Sequence, residues 1–252
     1  GFKTADTIAS KMGYEKNDLR RLKSGVTYTL SHMAEEGNVY AEEEQLVKSA
    51  IELLDADEAP VRQAISEMLQ SEDLIADAEA IYMPPFYYAE VGTANRLNKL
   101  LDCVEGNLFN IIPDISVISK QTGVEYDEVQ AEAIREAVSS KVMVLTGGPG
   151  TGKTTTTQGI IAALKAMGLR ILLAAPTGRA AKRMSEATGM EAKTIHRLLE
   201  YNPKDGYKRN DDNPLEGDAL IVDECSMIDL LLMNNLCLLY TSPSPRDGAT
   251  SR

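Results

Sequence analysis

Apolar and polar positions along the chain change their period once, near its middle. From Asp6 the apolar residues Ile8, Ala9 and Met12 fall at helical spacing, and Gly13 stands where such a helix would stop. A second helix is predicted over 18–35. A short strand at 38–41 follows, then helices over 42–54 and 60–70, with Pro60 in a first turn, where its missing N–H costs nothing. Residues 74–76 and 80–83 pair as a hairpin across the small and polar positions between them. Pro84 and Pro85 close that segment, and 86–101 reads as a helix carrying Tyr87, Tyr88, Val91, Ala94 and Leu97.

Beyond Thr122 strands alternate with helices. A β-branched run at 142–146 leads into a glycine-rich loop, and 153–167 is a helix with Ile160, Ile161 and Leu164 on one side. A strand at 170–175, a helix at 178–188 and a strand at 219–222 complete the pattern. Such alternation implies a parallel sheet with right-handed crossovers. The fold class is therefore α/β, preceded by a mainly helical region whose strand, two helices and hairpin resemble a winged-helix module. Residues 241–252 are Ser, Pro, Gly, Asp and Arg without periodicity and read as disordered.

Composition narrows the picture. The 252 residues are 43% hydrophobic and 25% charged, which suits about two globular domains. No apolar run approaches the roughly 20 residues that span a bilayer, and no charged and apolar leader opens the chain, so a cytoplasmic protein without membrane partners is expected. Cys103, Cys225 and Cys237 lack metal-ligand spacing. The net charge of −12 argues against nucleic acid at first sight. Its distribution is uneven: between residues 35 and 80 only Lys48 and Arg62 are basic, whereas Arg179, Lys182, Arg183 and Lys193 cluster after the glycine loop.

That loop carries the chemistry. Gly147, Gly148, Pro149, Gly150, Thr151, Gly152, Lys153 and Thr154 satisfy G-x-x-x-x-G-K-[ST] between a predicted strand and a predicted helix. Such a loop wraps a phosphate with backbone N–H donors, and the helix N-terminus adds about half a positive charge. Lys153 is expected to reach the β- and γ-phosphates and Thr154 to ligate Mg²⁺, with Thr155 beside them in the nucleotide site. Downstream, the apolar strand Leu220–Val222 ends in Asp223 and Glu224, a carboxylate for the metal and one to polarise a water. Gln130, one helix before the loop, has an amide that donates and accepts together, which matches the N6 and N7 edge of adenine.

Five segments in order resemble the motifs of superfamily 1 DNA helicases: 130–134, 147–154, Ala174 to Ala181, Thr194 to Leu199 and Asp223 to Met227. Pro176-Thr177-Gly178-Arg179-Ala180-Ala181 resembles the RecD/TraA-type, 5′-to-3′ branch. Gly1 to Asp6 resembles the second half of a helix-hairpin-helix element of RecD-like helicases, in which backbone amides and a lysine, here Lys3, grip DNA phosphates. The resemblance implies ATP and Mg²⁺ as cofactors, single-stranded DNA and duplex junctions as partners, and DNA contacts at Thr177, Arg179 and His196. Readings without a ligand stand beside these: a helix N-cap for Thr177, a solvent-facing cation for Arg179, a partly buried imidazole for His196, and packing rather than base stacking for Tyr82, Phe86, Tyr87 and Tyr88.

The family's motors have two RecA-like halves with ATP between them. Only the first is expected here, because no Gly-Asp-x-x-Gln-Leu-Pro sensor follows Glu224. The chain accordingly reads as a fragment: a helix-hairpin-helix remnant at 1–35, a winged-helix-like and helical region at 36–115, an incomplete RecA-like ATPase domain at 116–236, and a foreign tail at 237–252. Without an arginine finger, worth about 10³ to 10⁵ in turnover, nucleotide binding with slow hydrolysis is expected. A relaxase-linked helicase-like domain, another P-loop ATPase, and a non-enzymatic DNA-binding module with structural ATP remain alternatives.

Overall fold

The computed structural model describes residues 2–102, 113–148, 150–210 and 212–238. The chain divides into two compact units. The first runs to Gly92 and includes Asp229–Leu231; the second takes Thr93–Ile228 and continues from Leu232.

The first unit begins with α1 (Phe2–Lys11) and α2 (Leu19–Glu35), followed by β1 (Ala41–Glu42), α3 (Glu43–Leu54), α4 (Glu58–Gln70), β2 (Ile75–Asp77) and β3 (Ala80–Tyr82). The next helix, α5 (Pro84–Asp102), crosses the division between the units. Helix α2 starts where the Asp18 carboxylate accepts the N–H groups of Arg20 and Arg21, at 2.9 and 3.3 Å. Its stripe of Leu22, Val26 and Leu30 meets Leu46, Val47 and Leu54 of α3 and Val61, Ile65 and Met68 of α4 in one buried core. The strands form an antiparallel sheet in the order β1-β3-β2, with Ala41 opposite Ile81 and Ile75 opposite Tyr82.

Helix, strand, two helices and hairpin make a winged-helix topology, and its first helix is α2. The module therefore starts earlier than the strand expected at 38–41, and residues 35 and 36 are no packing boundary. Arg21 ties the entry to it: the guanidinium pairs with Asp6 of α1 at 2.6 Å and donates to the Leu54 carbonyl at 2.8 Å. That carbonyl is one of the last in α3, which have no partner within the helix.

The second unit holds α6 (Ile115–Thr122), α7 (Glu128–Ser139), α8 (Lys153–Ala166), β4 (Ile171–Ala175), α9 (Gly178–Thr188), β5 (Ala192–Thr194), α10 (Ile195–Leu198), β6 (Tyr201–Asn202), β7 (Gly206–Tyr207), β8 (Ala219–Val222) and most of α11 (Leu230–Leu238). Strands β5, β4 and β8 lie in that order in a parallel sheet. Alternation along the strands sorts its two faces. Ile171, Ala219 and Ile221 pack with α6, α7 and α8 through Ile118, Ile134, Ile160 and Leu164, while Leu172, Ala174, Leu220 and Val222 pack with Leu198, Leu199, Leu232 and Leu236. Asp218 sets the register at the start of the strands, accepting the Arg170 N–H at 2.8 Å and its Nε at 3.1 Å. Among the described residues no helix is long and apolar enough to cross a membrane.

Two expectations change, and a third falls outside the described residues. The strand expected at 142–146 is absent: Leu145 packs against the α7–α8 cluster, but Val144 is 79% exposed and the segment pairs with no described strand. Strand status is a property of a pair, and the β-branched residues that favour it supply no hydrogen-bonding partner by themselves. The break expected after Leu236 falls inside α11, where Cys237 is buried. The disorder expected for 241–252 lies outside the described residues.

Candidate functional site

Gly150 and Gly152 both have left-handed backbones, with φ of +76° and +79°, conformations that allow the loop to fold tightly ahead of α8. Gly152 is the N-cap of α8 and has no side chain to occupy the N-terminal N–H groups, so these stay available to an anion. Thr151 Oγ1 donates to the Gly148 carbonyl at 2.8 Å, and Lys153 Nζ donates to the Gly147 carbonyl, which folds the cation back over its own loop. Lys153 and Thr154 are exposed and Thr155 is half-buried. Pro149 lies outside the described residues.

Gln130 reaches this loop through helix packing. At Gly159 in α8 a Cβ would collide with Ile134 Cδ1 and come within 3.0 Å of the Tyr126 ring, so the missing side chain is what lets α7 approach. Gln130 and Asp127 form a capping box, with Asp127 accepting the Gln130 N–H at 2.8 Å and Gln130 Oε1 accepting that of Asp127 at 3.2 Å. The other end of the amide, Nε2, sits so near Gly152 that a Cβ there would be 2.5 Å from it.

Parallel pairing puts the carboxyl ends of β4, β5 and β8 on one edge of the sheet, the edge where open α/β sheets bind ligands. Thr177 and Arg179 follow β4, His196 follows β5, and Asp223 and Glu224 follow β8. The Asp223 N–H donates to the Ala174 carbonyl at 3.0 Å and its Oδ1 accepts the Glu224 N–H at 2.9 Å. Glu224 itself is left-handed, with φ of +54°, and its carboxylate is held by Arg183 from α9. The basic cluster that includes Arg183 was legible in sequence; its contact with Glu224, 41 residues away, was not.

An exposed Thr154 hydroxyl and an exposed Asp223 carboxylate are oxygen donors of the type Mg²⁺ takes, usually one or two from protein with phosphate and water completing the set. The residues present therefore fit that ion.

The four residues expected at DNA differ in their surroundings. Thr177 is the N-cap of α9, its Oγ1 accepting the Ala180 N–H at 3.2 Å. Arg179 is exposed, with no ion pair among the described residues. His196 is exposed rather than partly buried and lies within an aromatic group, its ring centroid 5.5 Å from that of Tyr201 and 6.2 Å from that of Tyr207. Lys3 belongs to α1, with its side chain outside what is described. The β6–β7 hairpin behind His196 was missed, although Pro203-Lys204-Asp205-Gly206 between two tyrosines is a turn signal.

Comparison with known proteins covers both ends of the described chain. A model of the AAA domain matches residues 130–243, and a model of the ATP-dependent RecD2 DNA helicase HHH domain matches residues 1–40. The ATP-dependent RecD2 DNA helicase of Deinococcus radiodurans is 33% identical over 257 residues, covering 94% of this chain and 34% of that protein. The RecBCD enzyme subunit RecD of Mycolicibacterium smegmatis is 33% identical, covering 63% of the chain and 32% of the relative. Its counterpart from Haemophilus influenzae is 39% identical over 44% of the chain and 21% of the relative. The chain thus spans about a third or less of the length of these curated relatives.

Proposed function

Because the chain is RecD-like, with the α/β class of a RecA-like unit behind a helix-hairpin-helix and winged-helix region, we propose that it carries the ATP-binding first half of an ATP-dependent DNA helicase motor. The motor moves 5′ to 3′ on single-stranded DNA and opens duplexes. The observation that supports this reading is that the Gln130 amide lies against Gly152 of the glycine loop, close enough that a Cβ there would be 2.5 Å from its Nε2.

Each residue's part follows from its chemistry. The open N–H groups at the start of α8 receive phosphate oxygens, and Lys153 swings from the Gly147 carbonyl to the β- and γ-phosphates. Thr154 and Asp223 hold Mg²⁺, which when bound neutralises charge developing on the phosphates. Glu224 orients the attacking water and accepts its proton once Arg183 releases the carboxylate. Thr177 and Arg179, on the same edge of the sheet, contact the DNA strand, with Lys3 a further contact from α1.

The test compares a longer protein carrying both motor halves with its Lys153→Ala variant. DNA-stimulated ATP hydrolysis should fall by at least 100-fold, a loss within the range seen when one charge-stabilising donor is removed. Equal rates would sink the helicase reading and leave a DNA-binding module in which nucleotide is structural.

A further inference from the structure

Alternation along the small sheet of the first unit divides its residues between two faces. Ala41 and Ile81, opposite each other, belong to the buried core, so the positions on either side of them point the other way. Continuing the β1 register by one residue sets Tyr40 beside Tyr82, and their ring centroids lie 5.4 Å apart. Ile75 stands on the other side of Tyr82, and Glu42, Ala80 and Asp77 make the next row. Helix α5 extends the aromatic row: Tyr87 meets the Tyr82 ring edge-on at 5.5 Å, and Tyr88 meets Tyr87 at 5.5 Å.

The row is fixed in its middle and open at its ends. Tyr82 is buried, its hydroxyl donating to Glu90 at 2.7 Å, whereas Tyr40 and Tyr88 are 44% and 64% exposed. Rings held by their neighbours offer contact area with little entropy left to lose, which is why tyrosine is enriched where proteins meet one another.

Charge identifies the occupant. Between residues 35 and 92 fifteen carboxylates outnumber two cations, Lys48 and Arg62. Glu42 and Asp77 share the outer face of the sheet with the tyrosines, Glu79 follows in the hairpin turn, and all three are exposed. Arg62 is already engaged, donating to Glu44 at 2.9 and 2.8 Å and to Glu58 at 2.8 Å. It is the one cation of α4, the second helix of a pair joined by three residues in the manner of a helix-turn-helix. In such pairs the second helix is the one that enters a DNA groove. DNA needs Lys or Arg to replace its counterions, and this module presents carboxylates. An arginine side chain fits instead: its guanidinium lies flat on an aromatic ring while its N–H groups reach carboxylates.

We propose that this face docks an extended, arginine-bearing segment of a partner protein, with guanidinium groups on Tyr40 and Tyr88 and ion pairs to Glu42 and Asp77. The winged-helix module then recruits protein and does not read DNA. The assignment is independent of the phosphate loop and of the motor reading.

Fluorescence anisotropy of a labelled decapeptide alternating arginine and serine, titrated with the full chain, tests it at about 0.15 M salt, where exposed charges more than about 8 Å apart are largely screened. The chain should bind this peptide, and bind its lysine counterpart of equal charge more weakly. Tyr40→Ala with Tyr88→Ala should weaken binding of the arginine peptide about 10-fold, the combined loss of two exposed cation–π contacts, whereas Tyr40→Phe with Tyr88→Phe keeps it. Glu42→Gln with Asp77→Asn should weaken it about 5-fold. Glu42 makes no side-chain capping bond to α3, so its substitution removes no cap. Glu52→Gln with Asp55→Asn removes the same charge from the far end of α3 and should change affinity by less than about 2-fold. Four results would overturn the proposal: no binding of the arginine peptide, full affinity in Tyr40→Ala with Tyr88→Ala, equal losses from the two carboxylate pairs, or a dimer in sedimentation that Tyr88→Ala makes monomeric. The third would mean diffuse attraction to an acidic chain, and the fourth would give the face to a second copy.

Discussion

Gln130 and Gly152 are separated by 22 positions in sequence, yet a methyl group on Gly152 would lie 2.5 Å from Gln130 Nε2. The same side chain caps α7 through its oxygen, so one residue both starts the helix and presents a donor at the phosphate loop.

That double use can be separated. Gln130→Ala removes both roles, with an expected loss of about 1 kcal/mol in stability from the cap and a fall in ATP affinity of about 10-fold. Gln130→Glu keeps an oxygen for the Asp127 N–H but has no donor for adenine. It should melt like the parent chain and lose preference for ATP over GTP. Calorimetric titration with both nucleotides reads this, and a retained preference in Gln130→Glu would remove adenine recognition from Gln130.

Gly159 is the packing counterpart. An alanine inside a helix ordinarily gains about 1 kcal/mol over glycine, but here its Cβ meets Ile134 and Tyr126. Overpacking of this kind costs about 1–3 kcal/mol, so Gly159→Ala should be net destabilising in urea unfolding. Adding Ile134→Val should recover part of the loss, and a simple sum of the two single effects would show that the helices do not meet as described.

The Arg183–Glu224 pair restrains the residue assigned to orient water. With Arg183 61% exposed, solvent limits the pair to about 0.5–1 kcal/mol, equivalent to roughly 2- to 5-fold in a rate. In a protein with both motor halves, Arg183→Ala should raise DNA-free ATP turnover by that factor. A rate reduced to that of Glu224→Gln would show instead that the arginine assists the glutamate.

Tyr82 donates to Glu90 at 2.7 Å, and that bond together with burial pushes its phenol up to about 12. The free phenol titrates near 10, so the folded state holds its proton where the unfolded chain has lost it. The contribution is complete below pH 10 and is lost as pH rises from there through 12. Tyr82→Phe should cost about 1 kcal/mol at pH 8, with the gap to the parent closing between pH 10 and pH 12 in denaturant melts. A gap that stayed constant with pH would rule the hydrogen bond out as its source.

The parts of the molecule that were legible in sequence are those whose determinants are local. Helix α9 lies where its apolar spacing and following glycine put it, and β8 occupies the apolar run before Asp223. The phosphate loop shows itself through glycine spacing, because the backbone angles it needs are angles other residues resist. Order along the chain was also enough for the strand, two helices and hairpin from β1 to β3, which follow one another through short connections.

What only the tertiary structure decided concerns partners distant in sequence. Residues 142–146 have strand composition but pair with no strand among the described residues, and α2 joins the winged-helix core through contacts with helices that its own period does not name. Arg183 reads as a surface cation until α9 and the end of β8 meet. The sequence by itself thus determined the chemistry of the phosphate loop, whose backbone N–H groups come from consecutive residues. The fold decided which side chains stand around it, because hydrogen bonds, ion pairs and packing depend on distance in space, which sequence separation does not specify.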